Sequence, residues 1–561
     1  TPYCSPWHDL TLLDPKKGFQ DTYSSRHSHQ AGPMSGDTEW VRLGRSQAWT
    51  SQRDFYDSLG VSAWHRQVPD FVSSNAFLAS HYAKLVLAFA MDCGAQGGKV
   101  LVVELAAGHG KLGFLVVSKL LEMRNLWPNP GVPPFKYVLT DGSRRNIDHY
   151  MSHPQLSALF HEGVLDVAYF DAEQDTTLDF NFQRDTTISP RQPWVGPIVI
   201  IANYAIDSFC QDAFATNRKG DVAELLCRAR NVSVDSRRLE MKWEWQLGEP
   251  MRGAHEPYHI KVDDYAFTER LCEFWADYKG RLANMNREGS VLIPVGGLRG
   301  LWSLVDLTDH AVCAIVGDKG DTSLEDALTE EYPQAASHGS FSFMVNLDAV
   351  ESALRGCRPG KFVTYQSSNL QGFKVSCYLV PPQRRKRSTS VVWDTVTSLV
   401  TSNTTRDQVG FPSVALEWMD GLGRLDPESF TVIQRSTDVV QDRGAQIDIK
   451  FALALLRLGE HDSDIFYRLR HVFLKQSHFL QDRARCDLVQ DLQVVFTRYF
   501  HGTRSNCDVP FELGRVFMGL RKYKLAGNMF SASMDLFQAH YTTLYNIGIC
   551  KYHQGDLEAA F

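Results

Sequence analysis

Apolar residues from Val100 to Val103 form an unbroken run that predicts a buried parallel strand ending on Glu104. A small-residue turn with Gly108 and Gly110 follows, and the period then changes: Leu112, Leu115, Val116, Leu120 and Met123 recur at helical spacing. Strand, tight turn and helix predict a βα unit with a ligand-sized turn. Upstream, Leu78, Tyr82, Leu85 and Phe89 predict an amphipathic helix leading into the strand. Downstream, Lys136 to Asp141, Val164 to Asp171 and Ile198 to Asn203 predict three more strands, the first two ending on an acid. Met241, Trp243, Trp245 and Leu247 alternate with Lys242, Glu244 and Gln246, predicting a half-buried strand inside an insertion spanning residues 204–310. Phe362 to Tyr365 and Phe373 to Val380 predict a strand pair around a polar turn. Residues 1–65 show no sustained period and read as an irregular leader.

The pattern breaks at Pro381-Pro382-Gln383-Arg384-Arg385-Lys386-Arg387, so 381–408 reads as a basic, Ser/Thr-rich linker. Residues 409–561 return to helical spacing. Leu513-Gly514 and Ile547-Gly548 stand 34 residues apart, the period of a tetratricopeptide repeat, with Phe517, Tyr523, Ala526 and Phe530 at its helix-packing places. Ile449 to Leu458 and Ile465 to Leu474 predict earlier helices of the same stack.

Composition narrows the picture. A chain of 561 residues predicts two or three domains, and a formal charge of −7 gives no electrostatic case for binding a nucleic acid backbone. Eleven scattered cysteines with no C-x-x-C pair predict reduced thiols in a cytosol-like compartment, and no zinc site or other metal is expected. No apolar run is long enough to span a membrane. The sequence starts at Thr1 without methionine, so an organellar location stays open.

The turn after Glu104 is neither a Walker loop nor a full dinucleotide fingerprint. It resembles motif I of class I S-adenosylmethionine (SAM) methyltransferases, with Ala106 at the place of the first glycine. Asn203, Asp207 and Asp212-Ala213-Phe214 resemble the strand-end segment of the MidA group, the SAM-dependent protein arginine methyltransferases of mitochondrial complex I assembly. Ala314 to Gly320 parallels that group's fifth strand and His338 to Asn346 its histidine-containing segment. Tyr204 and Gly317-Asp318-Lys319-Gly320 depart from the group's pattern. YVLTDGS, FDAE, IANYAIDS, VGDKG and HGSFSFMVN also make residues 70–380 similar to SAM-dependent methyltransferase-like proteins carrying tetratricopeptide repeats.

The resemblance implies an α/β fold: a class I, Rossmann-like, seven-stranded sheet with helices on both faces over residues 66–380, followed by an all-α repeat domain. It implies that Glu104, Gly108, Gly110, Asp141, Asp171 and Asn203 hold SAM, with Asp141 accepting from the ribose hydroxyls and Asp171 near the adenine. Asp207, His338 and Asn203 are then the catalytic candidates, and the repeats take a protein partner. Each acid is also readable as an ordinary strand-end cap, and His338 as a hydrogen-bonded loop histidine. A catalytically inactive scaffold of the same fold is the alternative.

Overall fold

The structure is a computed structural model that describes residues 36–66, 74–94, 98–128, 134–184, 186–233, 238–251, 265–367, 372–383, 410–442, 448–502 and 507–560. In chain order the elements that frame the site begin with β1 (Val41–Arg42), α1 (Gln47–Leu59), α2 (Ser62–Arg66), α3 (Ala76–Cys93), β2 (Val100–Leu105), α4 (Lys111–Glu122) and β3 (Phe135–Asp141). There follow α5 (Arg144–Ser152), α6 (Pro154–His161), β4 (Leu165–Tyr169), β5 (Ile198–Asn203), β6 (Asp212–Thr216), β7 (Val222–Asn231) and β8 (Met241–Pro250). Next come α7 (Tyr265–Asn284), β9 (Gly289–Ile293), α8 (Val295–Val305), β10 (Val312–Asp321), β11 (Val345–Asn346), α9 (Leu347–Arg355), β12 (Val363–Gln366) and β13 (Phe373–Val380).

The main sheet runs β12-β13-β10-β5-β2-β3-β4, with β11 added beside β10, so it has eight strands where seven were expected. The five strands β10, β5, β2, β3 and β4 are parallel to their neighbours, while β13 and β12 are antiparallel. Because strand residues alternate between faces, Leu101, Val103, Ile198 and Ile200 enter one core with α7, α8 and α9. Val100, Val102, Val199 and Ile201 enter the other with α3 and α4. The fold is a mixed α/β sheet covered by helices on both sides.

A second sheet, β1-β7-β6-β9 with β8 on β7, fills the insertion. The alternating tryptophans do lie on a strand, β8, and Trp243 meets Phe341 and Phe343 edge-on at 5.3 and 5.0 Å. The expected irregular leader carries β1, α1 and α2 within its described residues. Ala48, Trp49, Gln52 and Phe55 line the buried face of α1, and the polar Gln52 at an inward position hid the helical period.

After the 381–408 segment, of which residues 384–408 lie outside the described residues, come α10 (Pro412–Asp420), α11 (Ser429–Asp442), α12 (Ile449–Leu458) and α13 (Ser463–Gln476). The chain continues as α14 (Asp482–Thr497), α15 (Val509–Gly519), α16 (Tyr523–Leu536), α17 (Tyr541–His553) and α18 (Leu557–Ala560). α12 and α13 begin on capping aspartates, Asp448 and Asp462. Gly514 packs beneath Phe530, where an added Cβ would lie 2.6 Å from the ring.

These helices close over α3, which is why α3 is buried on nearly all sides rather than amphipathic. It is long and apolar enough to cross a membrane, yet 78% of it lies buried in the fold. Asp462 Oδ2 accepts from Ala76 N–H at 2.8 Å at the start of α3, and Asp464 pairs with Lys111 at 3.5 Å at the start of α4. Phe500 stacks on His153 with centroids 4.3 Å apart. The helical region is thus an integral wall of the α/β unit.

Candidate active site

Strand order reverses between β2 and β5, since β3 and β4 extend the sheet one way and β10 the other. In open parallel sheets ligands sit outside the carboxyl ends of the strands at such a switch point. Two strained residues mark this one. Ala106 and Tyr204 adopt φ values of +52° and +51° directly after β2 and β5, which pair Leu105 with Ala202. A non-glycine left-handed residue costs about 1 kcal/mol or more, and such strain gathers where a site needs it. Gly108 and Gly110 continue the turn at φ +61° and +79°.

The turn is tied to β3. Asp141 accepts from Gly108 N–H (3.0 Å), Ser143 N–H (2.9 Å) and the Tyr150 hydroxyl (3.3 Å), while Tyr150 also donates to Gly108 O at 2.6 Å. Burial raises the Asp141 carboxyl above its ordinary range, and these donors oppose the rise. The structure therefore brings Gly108, Gly110 and Asp141 together.

Glu104 joins them from behind. Strand alternation turns its side chain to the α4 face, where it accepts from Tyr137 at 2.8 Å and lies where a Gly113 Cβ would be only 2.4 Å away, so the carboxylate does not face the crevice. In this position Glu104 supports the turn from behind. Burial pushes this carboxyl up to about 8, against the Tyr137 hydrogen bond and with the Asp141 charge. A carboxyl raised on folding contributes stability that is full below its ordinary value of 4.5 and lost as pH rises through 8. Glu104→Gln, which is never charged, should therefore be more stable than the parent at pH 9 by about 5 kcal/mol and show little difference at pH 4.5 in denaturant titrations. An advantage that is equal at both pH values would contradict this assignment.

Asp171 stands apart from the network. It falls two residues beyond β4, and its carboxylate accepts from Glu173 N–H at 2.9 Å and from Gln174 Nε2 at 3.1 Å within its own turn. Asn203 ends β5, where its Oδ1 accepts from the buried Tyr82 hydroxyl at 2.9 Å.

Asp207 and His338 form a second group. Asp207 accepts from Ser208 Oγ at 3.0 Å; burial raises its carboxyl, opposed by nearby His338 and Lys319. His338 Nε2 lies 3.1 Å from Ser342 Oγ, and Nδ1 has no hydrogen-bond partner among the described residues. Burial lowers the His338 pKa while Asp207 opposes the fall. Asp318, on β10, anchors the loop by accepting from Ile206 N–H and Asp207 N–H at 3.0 and 3.2 Å. A neutral imidazole beside a carboxyl made more basic by burial is chemically suited to receive a proton.

Sequence reasoning missed Tyr56, Trp64 and Asp318. Tyr56 and Trp64 lie on the leader helices, and Trp64 covers Gly108. The aromatic density between Trp49 and Trp64 was their one available signal.

No family model matches the chain, and no curated protein matches it. Among solved structures, one similar chain is a COG1565 superfamily member from Burkholderia thailandensis, described as a "likely methyl transferase" bound to S-adenosyl-homocysteine. It is 15% identical, covering 60% of this chain and 87% of that one with a TM-score of 0.37. A second, an uncharacterized COG1565 superfamily protein from the same organism, is 12% identical, covering 59% and 93% with a TM-score of 0.35. In the present chain, a glycine turn and a strand-end acid stand tied together after β2 and β3, and Asp207 follows β5 on a loop anchored by Asp318.

Proposed function

We propose that this chain is a SAM-dependent methyltransferase whose substrate is a protein presented by the tetratricopeptide-like helices α10 to α18. The observation that carries the reading is the glycine turn at the β2/β5 switch point, held to the terminal acid of β3 by Asp141 and Gly108 N–H. The residues present fit a nucleoside-bearing cofactor because Gly108, lacking a Cβ, leaves room for a flat ring directly above the turn, room that Trp64 uses here. When bound, SAM supplies an electrophilic methyl group.

The chain's own residues do the rest. Gly108 and Gly110 allow close backbone approach, Asp141 accepts from the ribose hydroxyls, and Asp171 lies toward the adenine end. Asn203, fixed by Tyr82, stands toward the transferred group. Asp207 and His338 orient the nucleophile and accept its proton.

The test uses SAM labelled in its methyl group, a cell extract and the full chain. Protein labelling that drops at least about tenfold in Asp207→Asn, with binding of S-adenosylhomocysteine (SAH) retained, supports the proposal. Binding without labelling would favour a second reading, an assembly scaffold of the same fold. The inward-turned Glu104 is the observation on that side.

A further inference from the structure

The space above Gly108 is filled by the protein itself. An added Cβ at Gly108 would lie 2.9 to 3.4 Å from three atoms of the Trp64 indole, so the ring lies directly against the turn. The same indole stands edge-on to His109, 5.7 Å between centroids, and stacks against Tyr56 at 5.6 Å with 27° between planes. One flat ring is therefore slotted between the glycine turn and a tyrosine.

The segment carrying this ring is fastened to the ends of the strands that border the crevice. Ser143 Oγ donates to Asp57 at 2.8 Å just beyond β3, and Arg145 donates to Ser58 O. Arg53 pairs with Glu173 at 2.7 Å beyond β4, and Gln52 Nε2 donates to Phe341 O at 2.7 Å. Arg53 and Asp57 are exposed, and their polar links are ones that water can replace at little cost. Trp64 itself is only partly buried. These outer links are of the kind that opens, whereas Ala48, Trp49, Gln52 and Phe55 hold the inner face of α1 in a core, so the part free to open runs from Asp57 to the end of α2.

We propose that Trp64 is a built-in occupant of the ligand slot above Gly108, and that a nucleoside-type ligand enters by displacing it together with residues 57–66. The inference rests on the crevice being the cofactor site. Its consequence is a closed state that competes with the ligand, reducing apparent affinity by the fraction of molecules that are open.

The test is titration of the full chain, Trp64→Ala and Asp57→Ala with SAH, together with hydrogen exchange of the 57–66 region with and without saturating SAH. Trp64→Ala should bind at least about fivefold more tightly than the parent, and Asp57→Ala, which only loosens the fastening, should shift the same way by about twofold. Exchange in 57–66 should speed up on binding, whereas a segment that folds over the ligand would be protected. Equal or weaker binding by Trp64→Ala, or protection of 57–66, overturns the inference while leaving the cofactor site standing. Absence of binding by parent and variants alike, with folding verified, removes both.

Discussion

Asp141→Ala should lower the affinity for SAH by about 1,000-fold, roughly 4 kcal/mol, the largest binding effect of any single substitution in the crevice. Two losses combine. The proposed ribose contacts are hydrogen bonds to a charged acceptor, each worth about 1.5–3 kcal/mol. The turn itself also loses its tether, because Gly108 N–H and Ser143 N–H give up an acceptor in a buried setting, while the Tyr150 hydroxyl keeps Gly108 O. Asp141→Asn separates the parts. It keeps one oxygen for Gly108 N–H but turns an amide NH2 toward Ser143 N–H in place of the other oxygen, so it should recover part of the stability and little of the affinity. A parent-like affinity in Asp141→Asn would show that the carboxylate serves the turn alone.

The second large effect is on stability. Lys136 and Asp166, on neighbouring strands β3 and β4, form an ion pair at 3.1 Å with side chains 2% and 0% exposed. Lys136 also donates to Leu165 O at 3.1 Å, and Asp166 accepts from Val167 N–H, Phe182 N–H and Gln183 N–H at 2.9, 2.9 and 3.2 Å. Removing one partner of such a pair leaves a buried charge without compensation, which costs about 3–5 kcal/mol. Asp166→Ala should therefore lower the first urea transition of the chain by that amount, while Asp166→Asn, which still accepts from the backbone, should cost less. A change below about 1 kcal/mol in Asp166→Ala would mean that Lys136 finds water or loses its proton there; burial already lowers the Lys136 pKa, opposed by Asp166.

Much of this framework was legible in the sequence. The apolar run from Val100 and the helical spacing after Gly110 mark β2, the turn and α4, and Ile198 to Asn203 coincides with β5. The alternation around Trp243 and Trp245 marks β8. Burial direction was less visible, though its rule was available: Glu104 shares the parity of Val102, so it must point to the α4 face. Asp171 looked like a strand-end acid because the apolar run was taken two residues too far, past Tyr169. The leader helices were hidden by a buried glutamine, Gln52, whose Nε2 donates to Phe341 O, a contact 289 positions away. No local pattern reports such a partner. The same holds for α3, whose outer face is covered by helices more than 300 residues further on, through contacts such as Ser413 N–H to Asp92.

The central claim, a SAM site at the carboxyl edge between β2 and β5, is tested most directly by calorimetric titration of the full chain with SAM and SAH. The account predicts one site per chain with micromolar affinity of about −8 kcal/mol for SAH, lost in Asp141→Ala and kept in Glu104→Gln. No binding by folded, monodisperse protein, including Trp64→Ala with its slot emptied, would contradict it.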